Sequence, residues 1–396
     1  MKQSRRAGAW QAIGLLLTIQ IPIVPIMALA PNLPQLIRHF SALPQRDFLV
    51  PLVITLPSLG IVLLAPIAGA LADRWGRRGL LLTALVLFAA AGSAPLYLDG
   101  LYAILGAQAV VGVAEAIILT NANALLGDYF SESERVPWLG FQSIMSPLFA
   151  AIITLLAGVL GNLSWRAPFG VNLVAALMWL WLWLSSWEPE RSSPPGPGRV
   201  DGPSDGSVPW ARVLPVLAVT VVTSLVFYVP TIHFGLIYER LGAGSPALIS
   251  VLTTVGTVGS VPAGYYFRMK QRRPASNLTL LYALFGVGLL GISLSKSYLT
   301  GLMFGIVING AIGLTLPSLV AWILQCLPDA SRGRGVGVWM SAFFVGQLLC
   351  PLLFATLLHR VSGLGNALLA VAVGCLALAL MSVVNALNPL GSLRSA

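Results

Sequence analysis

Apolar runs of about twenty residues recur through this chain, and all 23 of its lysines and arginines fall between those runs or at their ends. A bilayer's hydrocarbon core is about 30 Å thick, which a helix of about 20 apolar residues crosses. Inside that core each backbone polar group must bond within its own segment, so only helices or closed barrels can span it. A barrel is excluded here, because its strands alternate polar and apolar residues while these runs are continuously apolar. The pattern predicts an all-α membrane protein.

Twelve spans are expected, near 10–33, 50–71, 79–98, 101–126, 137–161, 166–187, 210–238, 247–267, 276–294, 300–325, 336–358 and 365–387. Between the sixth and seventh lies 188–209, EPERSSPPGPGRVDGPSDGSVP, too rich in Pro, Gly and Ser to bury apolar area. The expected organisation is therefore a six-helix bundle over 1–187, a linker over 188–209 and a second six-helix bundle over 210–396. Residues 1–30 also resemble a secretory signal, with Ala28-Leu29-Ala30 as a cleavage site. The apolar run from Ala12 is longer than a signal core, and proline at position 31 disfavours cleavage, so it is read as the first span.

Charged residues make up 9% of the chain and hydrophobic ones 57%, far from soluble averages. The net charge of +10 would point to nucleic acid in a soluble protein, but its distribution reports topology instead. With the N-terminus in the cytoplasm, 17 of the 23 basic residues fall on the cytoplasmic side and six, Arg38, Arg46, Arg166, Arg240, Lys296 and Arg360, on the other. The positive-inside rule then places both termini and the linker in the cytoplasm of a bacterial inner membrane. Cys326, Cys350 and Cys375 lie in apolar stretches without metal-ligand spacing, so they read as packing thiols and no metal site is expected.

The halves repeat at an offset of about 196 residues. Pro66 and Gly69 match Pro262 and Gly264, and the loop with Arg135 and Gly140 matches that with Arg332 and Gly337. After the second span comes Gly69-Ala-Leu71-Ala-Asp73-Arg74-Trp75-Gly76-Arg77-Arg78. It resembles the signature loop of the major facilitator superfamily, G-x-L-a-D-r-x-G-R-R/K. The second copy, Gly264 to Arg273, keeps its basic residues and lacks the Asp. The resemblance implies two six-helix bundles related by an axis along the membrane normal, transport by alternating access, and a substrate site between the halves near the midplane. It also implies that the loop closes a cytoplasmic gate, with Asp73 against the start of the eleventh span near Val336 and Arg77 paired with Asp128. A carboxylate at a helix N-terminus meets about half a positive charge. The basic residues alone would also serve topology.

Of 13 acidic residues, only Glu115 stands near the middle of a span. Placing a lone carboxylate there costs at least ~2.5 kcal/mol, so such residues face wet cavities and often carry protons. Gln108 and Asn123 lie about 20° and 80° from it around a helix, which predicts a polar face on the fourth span. The alternative is a structural Glu115, protonated and bonded to a neighbouring helix. Family exporters usually carry Arg upstream of Gly in this helix, and here Gln108 precedes Gly112. Their fifth helix often carries Gly-Pro-x-x-Gly-Gly, where this chain has Ser146-Pro147-Leu148-Phe149-Ala150-Ala151. The small residues survive, allowing close packing and a bend at Pro147.

Gln20, Gln142, Tyr228, Thr254, Asn309 and Gln347 are further polar residues within spans, lining a cavity or bonding between helices. His233 is read as a packing residue. Gly286-Val-Gly288-Leu-Leu-Gly291 fits a dinucleotide pattern but lies inside an apolar span with no strand before it. No P-loop, H-E-x-x-H or G-x-S-x-G occurs. The expectation is a secondary transporter without cofactor, acting as a monomer in the bilayer on protons and a small molecule, with no nucleic-acid partner. Proton-coupled export of an amphipathic organic molecule leads, nutrient symport is the alternative, and a receptor or enzyme comes third.

Overall fold

The computed structural model describes residues 7–189, 208–269, 274–328 and 331–387. The expected cytoplasmic basic residues Lys2, Arg5, Arg6, Arg191, Arg199, Lys270, Arg272, Arg273 and Arg394, and most of the 188–209 linker, lie outside the described residues.

The described residues form helices at every expected span. In the first half, α1 is Ala9–His39, α2 joins Arg46–Thr55 to Pro57–Trp75, α3 is Arg77–Ser93, α4 is Leu101–Tyr129, α5 is Glu132–Gly161 and α6 is Val174–Ser185. In the second, α7 is Trp210–Arg240, α8 joins Pro246–Gly256 to Ser260–Met269, α9 is Pro274–Leu294, α10 is Tyr298–Cys326, α11 is Arg332–Val361 and α12 is Leu364–Leu387. Eleven are long and apolar enough to cross a membrane as they stand, and the two pieces of α2, bent by 50°, make a twelfth.

Local chemistry explains the boundaries and breaks. Pro22, Pro25, Pro31 and Pro34 divide α1 into short α and 3-10 pieces, since each removes a backbone donor. In α2 the break falls at Leu56, just before Pro57. Helix α5 opens on a capping box, in which the Ser131 amide and hydroxyl both donate to Glu134 Oε2 at 2.9 and 2.7 Å. It then runs unbroken through Pro137 and Pro147. Its bundle-facing residues are Phe149, Ile153 and Ala157, while Ser146, Ala150 and Ala151 are half-buried and Pro147 is exposed. Likewise α11 begins at Arg332, one turn before the expected Val336.

The chain divides into two compact units, Met1–Ser204 and Asp205–Ala396. In the first, α4 packs on α2 and α3, α3 on α6, and α1 on α5. In the second, α10 packs on α8 and α9, α9 on α12, and α7 on α11. The second set is the first advanced by six helices, so the repeat seen in sequence is repeated in packing.

Candidate functional site

The signature loop forms the junction of α2 and α3. Helix α2 ends at Trp75, and Gly76 turns the chain with φ of +89°, a conformation that glycine adopts without strain. The turn points the first N–H groups of α3 at the chain leaving α6. There Glu188 spans two of them, accepting from the Arg77 amide at 2.7 Å and the Arg78 amide at 2.9 Å. A carboxylate at this end is favoured both by the unpaired donors and by the helix dipole. The Arg78 guanidinium reaches back, donating to Ser186 Oγ at 3.0 Å and to the Trp183 carbonyl at 2.9 Å.

Helix α4 ends in the same place. Asp128 accepts from Arg77 Nη1 with both oxygens, at 2.5 and 2.6 Å. Next to it, the Tyr129 hydroxyl donates to the Trp187 carbonyl at 2.5 Å and accepts from the Trp187 amide at 2.9 Å, with the rings stacked at 4.7 Å. The ends of α3, α4 and α6 are thus laced together through Arg77, Arg78, Asp128, Tyr129 and residues 186–188. Arg74 is exposed beside this junction; the surroundings of Gly69 and the side chain of Asp73 are outside what is described. Sequence reasoning paired Arg77 with Asp128, and the structure brings them together. It missed Glu188, which composition assigned to the linker although it follows the sixth span directly.

The second locus is the interior of α4. Gly112 meets the break in α2: a Cβ on it would lie 2.9 Å from Pro57 Cα, and a Cβ on Gly60 would lie 2.7 Å from Gly112 Cα. Only glycines let the two backbones approach so closely. Gln108 and Glu115 stand one turn to either side of Gly112 on this face of α4. Gln108 is fully buried with neither amide atom bonded, and Glu115 is 3% exposed with Oε1 unpartnered. They are seven residues apart, about 10 Å along the axis, so each needs its own partner.

Asn123 departs from the expected polar face. It is exposed, and its amide donates to the Leu119 carbonyl of its own helix at 2.7 Å. The buried asparagine of α4 is Asn121, whose Oδ1 is unpartnered; it sits well around the helix from Glu115, so no polar periodicity marked it.

Among the remaining polar candidates, Gln20 is buried where α1 first breaks, and Gln142 is half-buried. In the second unit Tyr228 is buried beside Phe227 and Phe343, Asn309 donates to the Gly305 carbonyl at 2.9 Å, and Gln347 is buried with Oε1 unpartnered. His233 is buried, with Nδ1 2.8 Å from the Val229 carbonyl and its ring against Phe354. That bond and ring contact match its reading as a packing residue. Cys350 and Cys375 are buried thiols.

Residues 13–303 match the family described as the Major Facilitator Superfamily. The chain is similar to the class C tetracycline resistance protein of Escherichia coli, 25% identical over 86% of this chain and 88% of that one. It is also similar to the bacillibactin exporter of Bacillus subtilis (strain 168), 29% identical over 38% of this chain and 39% of that one. With two other curated transporters, the chain spans 27% and 30% of the relative's length. The fold is that of the crystallised POT family transporter PepTSo, with a TM-score of 0.76 at 12% identity over 96% of this chain and 98% of that one.

Proposed function

This chain belongs to the major facilitator superfamily, and we propose that within it the protein is a proton-coupled exporter of a small amphipathic organic molecule, working by alternating access in a bacterial inner membrane. One observation carries the coupling: Glu115, the lone acid at the middle of a span, is buried with an unmatched oxygen beside the α2–α4 crossing. An unpaired carboxylate there is costly, and a transferable proton removes the cost. Similarity to a tetracycline resistance protein and to a bacillibactin exporter supports export. In this reading the α2–α3 junction acts as the cytoplasmic gate, with the Arg77–Asp128 pair holding the loop. The substrate contacts in this reading come from Gln20 and Gln142 of the first unit and from Tyr228, Asn309 and Gln347 of the second.

The test uses inside-out vesicles carrying an imposed pH gradient and a lumenal pH dye. Tetracycline and a panel of siderophores and amphipathic amines serve as probes. A substrate of the parent should accumulate while protons leave. Glu115→Gln, which mimics the protonated form, should still bind that substrate but lose gradient-driven accumulation. Equal accumulation by mutant and parent would return Glu115 to a structural role, and proton-driven uptake into intact cells would establish nutrient symport instead.

A further inference from the structure

The outer face of the first unit carries a groove between α3 and the 3-10 and α segments of the sixth span, Ala167–Leu173 and Val174–Ser185. Two adjoining recesses of about 420 and 270 Å³ share Val86, Ala90 and Trp179. Together they run along α3 from Leu82 to Ser93, eleven helical steps, or about 16 Å. That is about half a bilayer core, the depth of one leaflet. The lining is mainly apolar, with Val86, Ala90, Leu173, Ala176 and Trp179 and a hydroxyl at either end from Thr83 and Ser93, and both flanking segments are of membrane-crossing length and hydropathy. What covers this face is therefore lipid.

One end of the groove is charged. Arg78 lies one turn before Leu82, and its guanidinium reaches the sixth span at Ser186 and Trp183, whose ring stacks on Trp179 at 5.9 Å. Among the described residues no carboxylate forms an ion pair with that guanidinium, and Glu188 binds the Arg78 amide. A cation thus lies one turn beyond the Leu82 end of a leaflet-long apolar trough, with Trp179 on its wall and Trp183 stacked next to it, as tryptophans anchor membrane interfaces. We propose that this groove is a binding site for one anionic phospholipid, its phosphate at Arg78 and one acyl chain lying against Trp179. The site lies on the outer face of one unit and does not depend on the transport reading.

The experiment takes the full chain in nanodiscs of equal phosphatidylglycerol and phosphatidylcholine and weighs it by native mass spectrometry after release. The parent should retain one phosphatidylglycerol in clear excess over phosphatidylcholine. Ala90→Trp and Ala176→Leu, which fill the trough from either helix, should lower that retention at least fivefold with the circular dichroism unchanged. Unchanged retention in folded variants overturns the site. Equal retention of the two lipids by the parent overturns the role of Arg78, and that comparison needs no variant to fold. A dimer that the same substitutions abolish, with no lipid retained, would make the groove a surface for a second copy of this chain and also overturn the proposal.

Discussion

Arg77 and Asp128, 51 residues apart in sequence, meet through a single guanidinium nitrogen held by both carboxylate oxygens. Their side chains are about a third exposed, at 32% and 28%, so solvent limits the pair to about 1 kcal/mol or less. Arg77→Asp and Asp128→Arg should each lower the thermal midpoint of the purified protein slightly, and the double exchange should recover at least half of the loss. Additive losses in that double-mutant cycle would show that the pair contributes nothing of its own.

Glu188 caps α3 from outside that helix, so removing its carboxylate leaves two first-turn donors to solvent. Glu188→Ala should cost about 1 kcal/mol, the usual worth of an N-cap acceptor, and Glu188→Gln less, because it keeps an oxygen. Thermal unfolding in detergent reads both. If the alanine variant melts with the parent, the cap has no energetic weight.

Gly112 admits no side chain. Gly112→Val should push α4 off the Pro57 backbone and cost about 3 kcal/mol or more, as overpacking at a rigid crossing does. Size-exclusion chromatography should show the monodisperse peak replaced by aggregate. Gly106→Val is the control on the same helix, where an added Cβ meets nothing within 4 Å. Similar behaviour of the two variants would mean that the crossing is not tight.

The division of basic residues, 17 against six, predicts that reporter fusions within 188–209 and at either terminus are active only as cytoplasmic reporters. A periplasmic signal from the linker would invert the orientation on which the gate proposal stands.

The helices were legible because membrane insertion demands long uncharged runs, and nothing in tertiary packing overrides that demand. The internal repeat was legible because Gly264, Arg332 and Gly337 keep register with their first-half partners. The Arg77–Asp128 pair came with the signature loop. What could not be read was contact between segments distant in sequence. Glu188 lies in a stretch whose composition points to a free linker, and only the fold brings the end of α6 to the start of α3. Asn123 lies nearer to Glu115 around the helix than Asn121, at about 80° against about 120°, so the period pointed to the asparagine that the fold leaves exposed. The α2 bend lies at Pro57, yet Pro137 and Pro147 interrupt nothing in α5, because whether a proline breaks a membrane helix depends on what its neighbours supply.

The Gly76 junction bears on how this loop can change over generations. A side chain there faces two independent penalties: the left-handed backbone, and the Glu188 carboxyl carbon 3.0 Å from where its Cβ would sit. Shortening residue 188 relieves only the crowding, and reshaping the turn withdraws the amides that Glu188 binds. A replacement at position 76 therefore disturbs the cap on α3 as well as the turn, which ties the first residue of a stretch that reads as spacer by composition to a loop far before it in sequence.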